Sequence, residues 1–318
     1  MNQPLVDVLI PTYNPKPEHL TDALKSLVGQ TFSGWTALVH DDCSSVDVRA
    51  IVAPFLSDTR IRFVRSDVRL GIGGNWNACV KQTSAPFVAY LFQDDVWAPS
   101  YLAEAMNVLE TNAAVGFVSL EHMYTIEGEM TTAPLYEAVR DFRDQHVKAG
   151  LHSGTALLTW WIERELTPNI VGEPSFVVIR REAMEKMGPF LNDMPQFLDV
   201  EYWTRLLLAY DWYFLRGNFG AFRVHVKGAS AVNQETGQGL FDRLRCFELL
   251  IATLSREDRP IAVLARGKAL KAMVTKFRRR VGSGKKVSAQ GSGELKKFCM
   301  RHPILILKAI VQSYASGK

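Results

Sequence analysis

Two pairs of adjacent aspartates, each placed directly after an apolar run of strand length, carry the most informative chemistry in this sequence. They are Asp41-Asp42 and Asp94-Asp95. Adjacent carboxylates repel each other and are costly to bury, so a cation or several hydrogen-bond donors should meet each pair. Because ligands of open α/β sheets bind outside the carboxyl ends of the strands, we expect both pairs to face one crevice. Such oxygen ligands suit a divalent metal that carries a diphosphate.

The elements that would position these pairs alternate along the first 120 residues. Helical repeats separate short apolar runs typical of buried parallel strands, which lie at 5–10, 35–40, 61–64, 87–92 and 115–120. Such alternation predicts an α/β fold with a doubly wound, mostly parallel sheet and flanking helices. After a looser stretch, further strands are expected at 176–179, 212–215 and 220–226, with helices at 181–187 and 199–210.

The formal net charge of +4 hides an uneven distribution. Residues 256–318 carry 16 Lys and Arg against 3 Asp and Glu, whereas residues 1–255 carry 21 against 30. The tail from 239 onward has the pattern of basic helices, which either pack on the acidic body or lie on anionic lipid. Its most basic stretch has one aromatic residue and no nucleic-acid-binding motif, so no nucleic acid partner is expected.

The composition is that of an ordinary globular protein, with 47% hydrophobic and 22% charged residues. Four widely spaced cysteines indicate reduced thiols rather than disulfides or a zinc site. The sequence shows no signal-peptide pattern and no apolar run long enough to span a bilayer. We therefore expect a cytoplasmic protein, with a peripheral position at the inner face of the membrane as the alternative that the tail leaves open.

A glycine-rich turn at 71–74 admits two interpretations. It begins like a dinucleotide-binding fingerprint, but Trp76 stands where the third glycine belongs and the turn follows the third strand, so that motif is excluded. The turn is then either a tight connection into a helix or a loop whose bare backbone approaches a ligand, with Asn75 and Asn77 beside it.

Five segments of the chain together match one family. They are 8–14 (VLIPTYN), 39–44 (VHDDCS), 71–77 (GIGGNWN), 92–97 (FQDDVW) and 198–206 (LDVEYWTRL). In their order and separations the sequence resembles the family 2 glycosyltransferases, nucleotide-sugar enzymes of the GT-A fold. The resemblance implies a GT-A-like domain over 1–238, whose nucleotide-sugar-binding half is 1–120 and whose acceptor and catalytic-base half is 121–238. Residues 239–318 would form a basic helical C-terminal extension outside the family pattern.

The resemblance also implies roles for residues at the strand ends. The nucleoside pocket would be walled after the first strand, Asp41 would hydrogen-bond the base, and Arg69 would reach the nucleotide. The expected nucleotide-binding residues are Pro11, Thr12, Tyr13, Asn14, Asp41, Asp42, Arg69, Gly71, Asn75 and Asp94.

The same resemblance makes the second acidic pair a site for Mg²⁺ or Mn²⁺. Asp95 would be the direct ligand, with Asp94 near the ribose or the metal. Phe92 stands where many members have a first aspartate, which leaves fewer carboxylates for the metal. His225 matches a late histidine found near the diphosphate in some members, or is simply a strand histidine.

Helix geometry separates the two candidates for a catalytic base. Asp199 and Glu201 are two residues apart, so on a helix their side chains point about 200° apart and cannot serve one site. The spacing of Glu201 and Arg205 favours a structural ion pair. Asp199 also aligns with the family's base and is predicted to be that base; the alternative is a helix N-cap.

These residues predict inverting transfer of a sugar from a nucleotide-diphosphate sugar, by family habit a UDP-sugar, to an acceptor hydroxyl. The acceptor would be a saccharide or lipid-linked saccharide used in surface polysaccharide synthesis. Its side of the site would include Glu173 and Trp203, with 169–175 and the Trp160-Trp161 pair nearby, unless the tryptophans belong to the core. The alternatives are a catalytically silent nucleotide-sugar-binding protein and a nucleotidyltransferase.

Overall fold

The computed structural model describes residues 5–128, 133–225, 228, 232–233, 236, 239, 241–284, 293, 296–297, 299–307 and 311. Position 226, the end of the strand predicted at 220–226, and parts of the predicted 239–318 extension lie outside the described residues.

Strands and helices alternate as the sequence pattern predicts. The strands are β1 (Val6–Thr12), β2 (Trp35–Asp41), β3 (Ile61–Arg65), β4 (Phe87–Tyr90), β5 (Val96–Trp97), β6 (Val115–Leu120), β7 (Met123–Ile126), β8 (Gly150–His152), β9 (Val177–Arg180), β10 (Asp211–Leu215) and β11 (Gly220–Val224). The helices are α1 (Pro17–Val28), α2 (Val48–Val52), α3 (Ile72–Lys81), α4 (Tyr101–Thr111), α5 (Ala133–His146), α6 (Gly154–Glu163), α7 (Arg181–Met187), α8 (Leu198–Leu207), α9 (Asp242–Thr253) and α10 (Arg259–Gly282).

Among the described residues, eight strands form the main sheet in the order β3-β2-β1-β4-β9-β6-β10-β8. The pairs β3-β2, β2-β1, β1-β4 and β6-β10 are parallel. Strand β9 runs antiparallel between β4 and β6, and β8 closes one edge antiparallel to β10. The parallel set β3-β2-β1-β4 brings its carboxyl ends to one edge, where both acidic pairs are found.

The two faces of the main sheet are covered by different helices. Alternate residues of β1 and β2, such as Val8 and Val39, join one buried cluster with apolar residues of α1, α2 and α4. On the other face α3 approaches, because Asn75 contacts His40 and the Tyr90 hydroxyl donates to the Trp76 carbonyl. This is the arrangement expected of a doubly wound sheet, and the fold-class prediction is confirmed.

A second, three-stranded sheet has the order β5-β11-β7, and its strand β5 follows β4 in the chain. Strand β11 pairs parallel with β7 and antiparallel with β5, which directly follows the second acidic pair. A Cβ at Gly220 would lie 2.2 Å from the carbonyl oxygen of Val96. The absence of a side chain there allows β11 to approach β5 and places the residues that follow it beside Asp94 and Asp95.

The described chain divides into two compact units that do not follow a boundary at 238. The first comprises 1–155, 168–192 and 205–225, and the second comprises 156–167, 193–204 and 226–318. The first unit holds both sheets. The second contains α9 and α10, and the division of the chain at 238 stays a prediction.

All four cysteines are free thiols. Within the ranges that the structure describes, none of the helices combines the length and apolar character needed to cross a membrane.

Buried Asp7 fixes the start of β1 against three other segments. Its Oδ1 accepts from the Thr36 hydroxyl at 2.8 Å, and its Oδ2 accepts from the Ala85 N–H at 2.6 Å and from Nη2 of Arg181 at 2.9 Å. Both charged partners are largely buried. The carboxylate therefore ties β2, the approach to β4 and the start of α7 to the central strand.

Asp7→Ala should lower the free energy of unfolding by about 3–5 kcal/mol, because Arg181 and the Ala85 N–H lose a buried charged acceptor. Urea unfolding followed by circular dichroism measures the change. The matched control is Asp144→Ala, which removes a half-exposed partner of Arg216 and should cost about 1 kcal/mol or less. Equal losses in the two variants would contradict a structural role for the Asp7 network.

Candidate active site

Tyr13 and Asn14, just after β1, are held by the loops that follow the neighbouring strands. The Tyr13 N–H donates to Oε1 of Gln93 at 2.8 Å, and Nε2 of Gln93 donates back to the Tyr13 carbonyl at 3.3 Å. The Arg69 guanidinium lies 4.0 Å from the centre of the Tyr13 ring. Asn14 adopts a positive φ of 46° and accepts from the N–H and hydroxyl of Ser45. The predicted residues Tyr13, Asn14 and Arg69 therefore lie together.

The first acidic pair is met by a guanidinium group and by backbone donors. Asp41 is fully buried, forms an ion pair with Arg65, and accepts from the Ser44 N–H at 3.1 Å. Nη2 of Arg65 donates in turn to the Ser44 carbonyl at 2.7 Å. Beside this pair opens a cavity of about 520 Å³ lined by Ser44, Ser45, Val46, Asp47, Arg49, Phe63 and Arg65.

Asp42 holds the glycine turn that carries Arg69. Its two carboxylate oxygens accept from the N–H groups of Leu70 at 2.6 Å and Gly71 at 2.9 Å. Gly71 has a φ of 76°, a conformation that favours glycine, and α3 begins at the next residue. The turn is therefore a helix entry anchored by a buried carboxylate, and it keeps Arg69 over Tyr13.

Asn75 lies beneath this edge rather than on it. It is 4% exposed, its Oδ1 is 2.6 Å from Nδ1 of His40, and its Nδ2 donates to the carbonyls of Thr12 and His40 at 3.4 Å. Thr12 is likewise buried. The structure thus uses the Asn75 amide to join α3 to β1 and β2 where the loops begin.

The second acidic pair contains two carboxylates in different environments. Asp94 is half-buried, and its Oδ2 is 2.9 Å from Nε2 of His225. Asp95 is fully buried, and its Oδ1 accepts from the Arg223 N–H at 2.9 Å. The Arg223 side chain also donates from Nε to the Asp94 carbonyl at 3.0 Å. The structure therefore brings together Asp94, Asp95 and the predicted late histidine.

Burial and the charge of neighbouring Asp94 raise the pKa of Asp95 well above its ordinary value, with the Arg223 N–H acting in the opposite direction. Oδ2 of Asp95 is buried, and no hydrogen bond of standard geometry reaches it within the described residues. A cation beside this pair would favour the ionised form of Asp95. The described residues include no group of three or more His, Cys, Asp or Glu side chains arranged to hold a metal ion.

Glu127, which the sequence interpretation did not identify, connects two cationic residues and a histidine at this site. Its carboxylate contacts Lys16 at 2.8 Å, His19 at 2.9 Å and Arg223 at 2.6 Å. The Lys16 hydrogen bond is the main cause that lowers the pKa of Glu127 to about 2. The network fixes Arg223 between β7 and α1, and Lys16 is 111 residues from Glu127 in sequence, so no local pattern could have revealed it.

Glu173, predicted on the acceptor side, lies in a polar cluster of the same unit. Its Oε2 is 2.9 Å from Nε2 of His122, and its Oε1 accepts from the Tyr124 hydroxyl at 3.3 Å. Buried Arg143 donates to that hydroxyl at 3.3 Å. Burial alone would raise the pKa of Glu173, but the hydrogen bond from His122 and the charges of His122 and Arg143 lower it overall. These partners favour an ionised carboxylate.

A short helical turn links Glu173 to the loop that carries the second acidic pair. The Ser175 hydroxyl accepts from the Phe92 N–H at 3.1 Å, and the indole N–H of Trp97 donates to the Ser175 carbonyl at 2.7 Å. The Phe92 ring stacks on Trp76 with centroids 5.0 Å apart. The residue that stands in place of a carboxylate therefore packs against the aromatic side of α3.

The predicted catalytic base and the predicted acceptor-side tryptophan belong to the second unit. Asp199 is half-buried in the first turn of α8, and its Oδ1 accepts from the Val200 N–H at 2.8 Å. Glu201 and Trp203 are buried at 1% and 0% exposure. Asp199 is thus less buried than Glu201, and the roles of Asp199 and Trp203 stay predictions.

The tryptophan pair on α6 also belongs to the second unit. Trp161 is buried, whereas Trp160 is half-buried with the Arg164 guanidinium 4.1 Å from the centre of its ring. Trp161 therefore belongs to the core, and Trp160 keeps part of its surface in solvent.

Residues 7–169 match the family described as glycosyl transferase family 2. The chain belongs to this family. A protein of Mycobacterium tuberculosis with no assigned function is 28% identical over 65% of this chain and 63% of its own length. Escherichia coli WfgD, a UDP-Glc:α-D-GlcNAc-diphosphoundecaprenol β-1,3-glucosyltransferase, is 34% identical over 35% of this chain and 44% of its own length. This family 2 protein therefore covers less than two thirds of the length of each of these relatives.

Solved structures share the fold of this family 2 protein at low sequence identity. Staphylococcus aureus TarS 1–349 in complex with UDP-GlcNAc matches with a TM-score of 0.62 and 14% identity, over 98% of this chain and 92% of TarS 1–349. The Pyrobaculum calidifontis mannosyltransferase PcManGT, in complex with GDP-Man and Mn²⁺, matches with a TM-score of 0.59 and 17% identity, over 100% and 89% of the two chains.

Asp42→Ala should lower the free energy of unfolding by about 2–4 kcal/mol, because two buried N–H groups lose a charged acceptor. Amide hydrogen exchange at 70–71 should accelerate in the same variant. Denaturant unfolding and exchange mass spectrometry measure the two effects. Asp67→Ala removes an exposed carboxylate from the same loop and should change stability by no more than about 0.5 kcal/mol. Unchanged exchange at 70–71 would show that Asp42 does not hold the turn.

Proposed function

We propose that this protein is an inverting glycosyltransferase that uses a nucleotide-diphosphate sugar, of the hexosyltransferase type. The observation that carries the proposal is the pairing of half-buried Asp94 with His225, next to the loops that hold Tyr13 and Arg69. Family membership supports the same reaction class, because the matched region 7–169 contains all of these residues except His225.

The donor nucleoside would lie at the ends of β1 and β2. The flat Tyr13 ring and the Arg69 guanidinium offer a stacking surface, and the Asp41-Arg65 pair offers both an acceptor and donors for the edge of a base. Pro11, Thr12 and Asn14 would shape the wall. UDP-sugars in the names of WfgD and of the TarS complex favour uridine, although PcManGT was solved with GDP-Man.

The residues around the second acidic pair fit a divalent cation such as Mg²⁺ or Mn²⁺. Asp94 has an accessible carboxylate, His225 adds an imidazole nitrogen, and Asp95 adds a buried carboxylate. One or two protein carboxylates together with substrate phosphates are a common way to hold Mg²⁺. We assign direct contact to Asp95, whose Oδ2 receives no hydrogen bond of standard geometry within the described residues, with Asp94 and His225 beside it. When bound, the cation would offset charge on the diphosphate leaving group.

Asp199 is the proposed catalytic base of the transfer. It would accept the proton of an acceptor hydroxyl as that oxygen attacks the anomeric carbon, and direct displacement inverts the configuration there. Its half-buried position at the start of α8 supports the assignment over buried Glu201. Glu173, which its partners keep ionised, would accept hydrogen bonds from sugar hydroxyls at the acceptor side.

The proposed acceptor is a saccharide, and among saccharides one carried on a lipid diphosphate. The names of WfgD and of a Campylobacter jejuni β-1,3-glucosyltransferase, 32% identical over 40% of this chain and 40% of its own length, both specify undecaprenol-linked acceptors. A place in surface polysaccharide synthesis follows from such an acceptor. We propose a cytoplasmic enzyme that works at the inner face of the membrane, where its basic extension would meet the lipid.

Calorimetry with UDP, GDP, dTDP and CDP, with and without Mn²⁺, tests the donor site. We expect one nucleotide, UDP, to bind more tightly with Mn²⁺ than without it. In Asp94→Ala the increase in UDP affinity caused by Mn²⁺ should be smaller by roughly tenfold or more, because a metal ligand is lost. Asp144→Ala, on exposed α5, should bind like wild type. A folded protein that binds none of the four nucleotides would overturn the proposal.

Asp199→Asn should reduce sugar transfer by roughly 10²–10⁴-fold, because the amide cannot accept the proton, while UDP affinity stays within about twofold. Product analysis with saccharide and lipid-linked acceptors, and with donor alone, measures the rate. Asp193→Asn, an exposed aspartate of the same unit, is the control and should retain transfer. Near-normal transfer by folded Asp199→Asn would show that another group is the base.

A catalytically silent nucleotide-sugar-binding protein is the second candidate. The packing of Phe92 on Trp76, at the position of a family carboxylate, favours it. Metal-dependent UDP binding with no transfer and no hydrolysis of any UDP-sugar would support this candidate, and any turnover that Asp199→Asn abolishes would exclude it.

A further inference from the structure

Large apolar side chains stand in solvent near the C-terminal end of the described chain. Met300, Ile304, Leu307 and Val311 are exposed at 66%, 71%, 63% and 60%. Isolated exposed apolar residues are normal, but four of this size within twelve positions call for a partner. The sequence pattern did not distinguish between packing of this extension on the body and contact with lipid.

Three of these residues have the sequence spacing of a single helix face. Residues 303–307 and 311 are helical, and His302 begins this segment by accepting at its carbonyl from the Ile306 N–H at 3.1 Å. Ile304, Leu307 and Val311 are spaced by three and four positions, the spacing of a single helix face. We call these three residues the apolar stripe. Leu305 and Ile306, between them, are half-buried.

The start of the stripe segment is tied to the second unit. Nε2 of His302 is 3.2 Å from Oε2 of Glu248 on α9, and Nη1 of Arg266 on α10 contacts the other oxygen of Glu248 at 2.5 Å. The segment is therefore anchored on one side by polar contacts and by its half-buried residues, while the stripe faces away into solvent.

Cationic residues lie close to the stripe in sequence. Lys296, Lys297 and Arg301 are exposed, and Lys308 lies within the stripe in sequence. From 256 to 318 the chain carries 16 Lys and Arg against 3 Asp and Glu. An apolar helix face bordered by lysine and arginine matches the chemistry of an anionic bilayer surface, which offers hydrocarbon below a layer of negative head groups.

We propose that the apolar stripe inserts into the head-group region of an anionic membrane while Lys296, Lys297 and Arg301 contact its acidic lipids. This inference rests on the proposed function, because a lipid-linked acceptor would bring the enzyme to such a surface. The residues named here would make the contact. The helix lies along the interface, so binding is reversible and depends on lipid charge and on salt.

Vesicle flotation with the full chain tests the proposal. Vesicles of phosphatidylcholine alone are compared with vesicles containing about 30% phosphatidylglycerol, at about 50 and 300 mM salt, which spans a strong change in screening. We expect at least tenfold tighter binding to the anionic vesicles, weakening at high salt. The triple variant Ile304→Ser, Leu307→Ser, Val311→Ser should lose tenfold or more of that affinity.

The matched control is the double variant Leu135→Ser, Leu151→Ser, which removes apolar side chains exposed at 58% and 56% in the first unit. It should bind vesicles within twofold of wild type. A charge variant, Lys296→Glu, Lys297→Glu, Arg301→Glu, should lose the preference for anionic lipid. Circular dichroism and UDP calorimetry on every variant establish that the fold and the donor site are intact.

Equal vesicle binding by wild type and the stripe variant would overturn the proposal, as would binding by neither. Sedimentation of wild type without lipid is a further test: self-association that the stripe variant abolishes would assign the stripe to a second copy of the chain instead. Because UDP binding is measured separately, wild type that binds UDP but no vesicles counts against the membrane surface alone, and wild type that binds vesicles but no nucleotide counts against the donor site.

Discussion

The fold around the site depends on the need of buried carboxylates for partners. Asp7, Asp42 and Asp95 are at most 6% exposed, and each accepts from backbone N–H groups supplied by a distant segment. An unpaired carboxylate at these depths would be costly, so each one specifies which segment must lie against it. The strand ends are thereby fixed to the glycine turn before α3 and to β11, and these contacts set the positions of the candidate site residues beside them.

The sequence predicted those parts of this arrangement that depend on residues close together in the chain. Strand runs, helix spacing and the acidic pairs each occupy a few consecutive residues, and the structure has strands close to the expected positions. The insertion of antiparallel β9 between β4 and β6 and the Glu127 network had no such local pattern, because they join residues about a hundred positions apart or pair strands that are not neighbours in sequence. Long-range pairing is decided by packing of the whole sheet, which no short window contains.

Residue type alone also could not distinguish side chains that contact a ligand from side chains that only hold elements of the fold together. Asn75 was predicted at the nucleotide because an amide near a glycine turn suits either role, and the structure occupies both of its polar atoms with Thr12 and His40. His225 posed the same choice, and here the backbone after β11 carries the ring to Asp94. The two residues differ in where the fold places their Cα atoms. Asn75 therefore has a positioning role, whereas His225 is a candidate metal ligand, although the sequence left the same choice open for both.

Phe92, in place of a carboxylate, reduces the number of acidic groups around the second acidic pair. A carboxylate there would add a third acidic side chain to a site that already places Asp94 next to a buried Asp95, and like charges at this distance repel. The aromatic ring instead packs on Trp76, and the chain offers a cation Asp95, Asp94 and His225. Such a sparse set holds a cation weakly unless diphosphate oxygens complete it. Metal and nucleotide would then bind as one unit, each raising the affinity for the other by the same factor, as linkage requires.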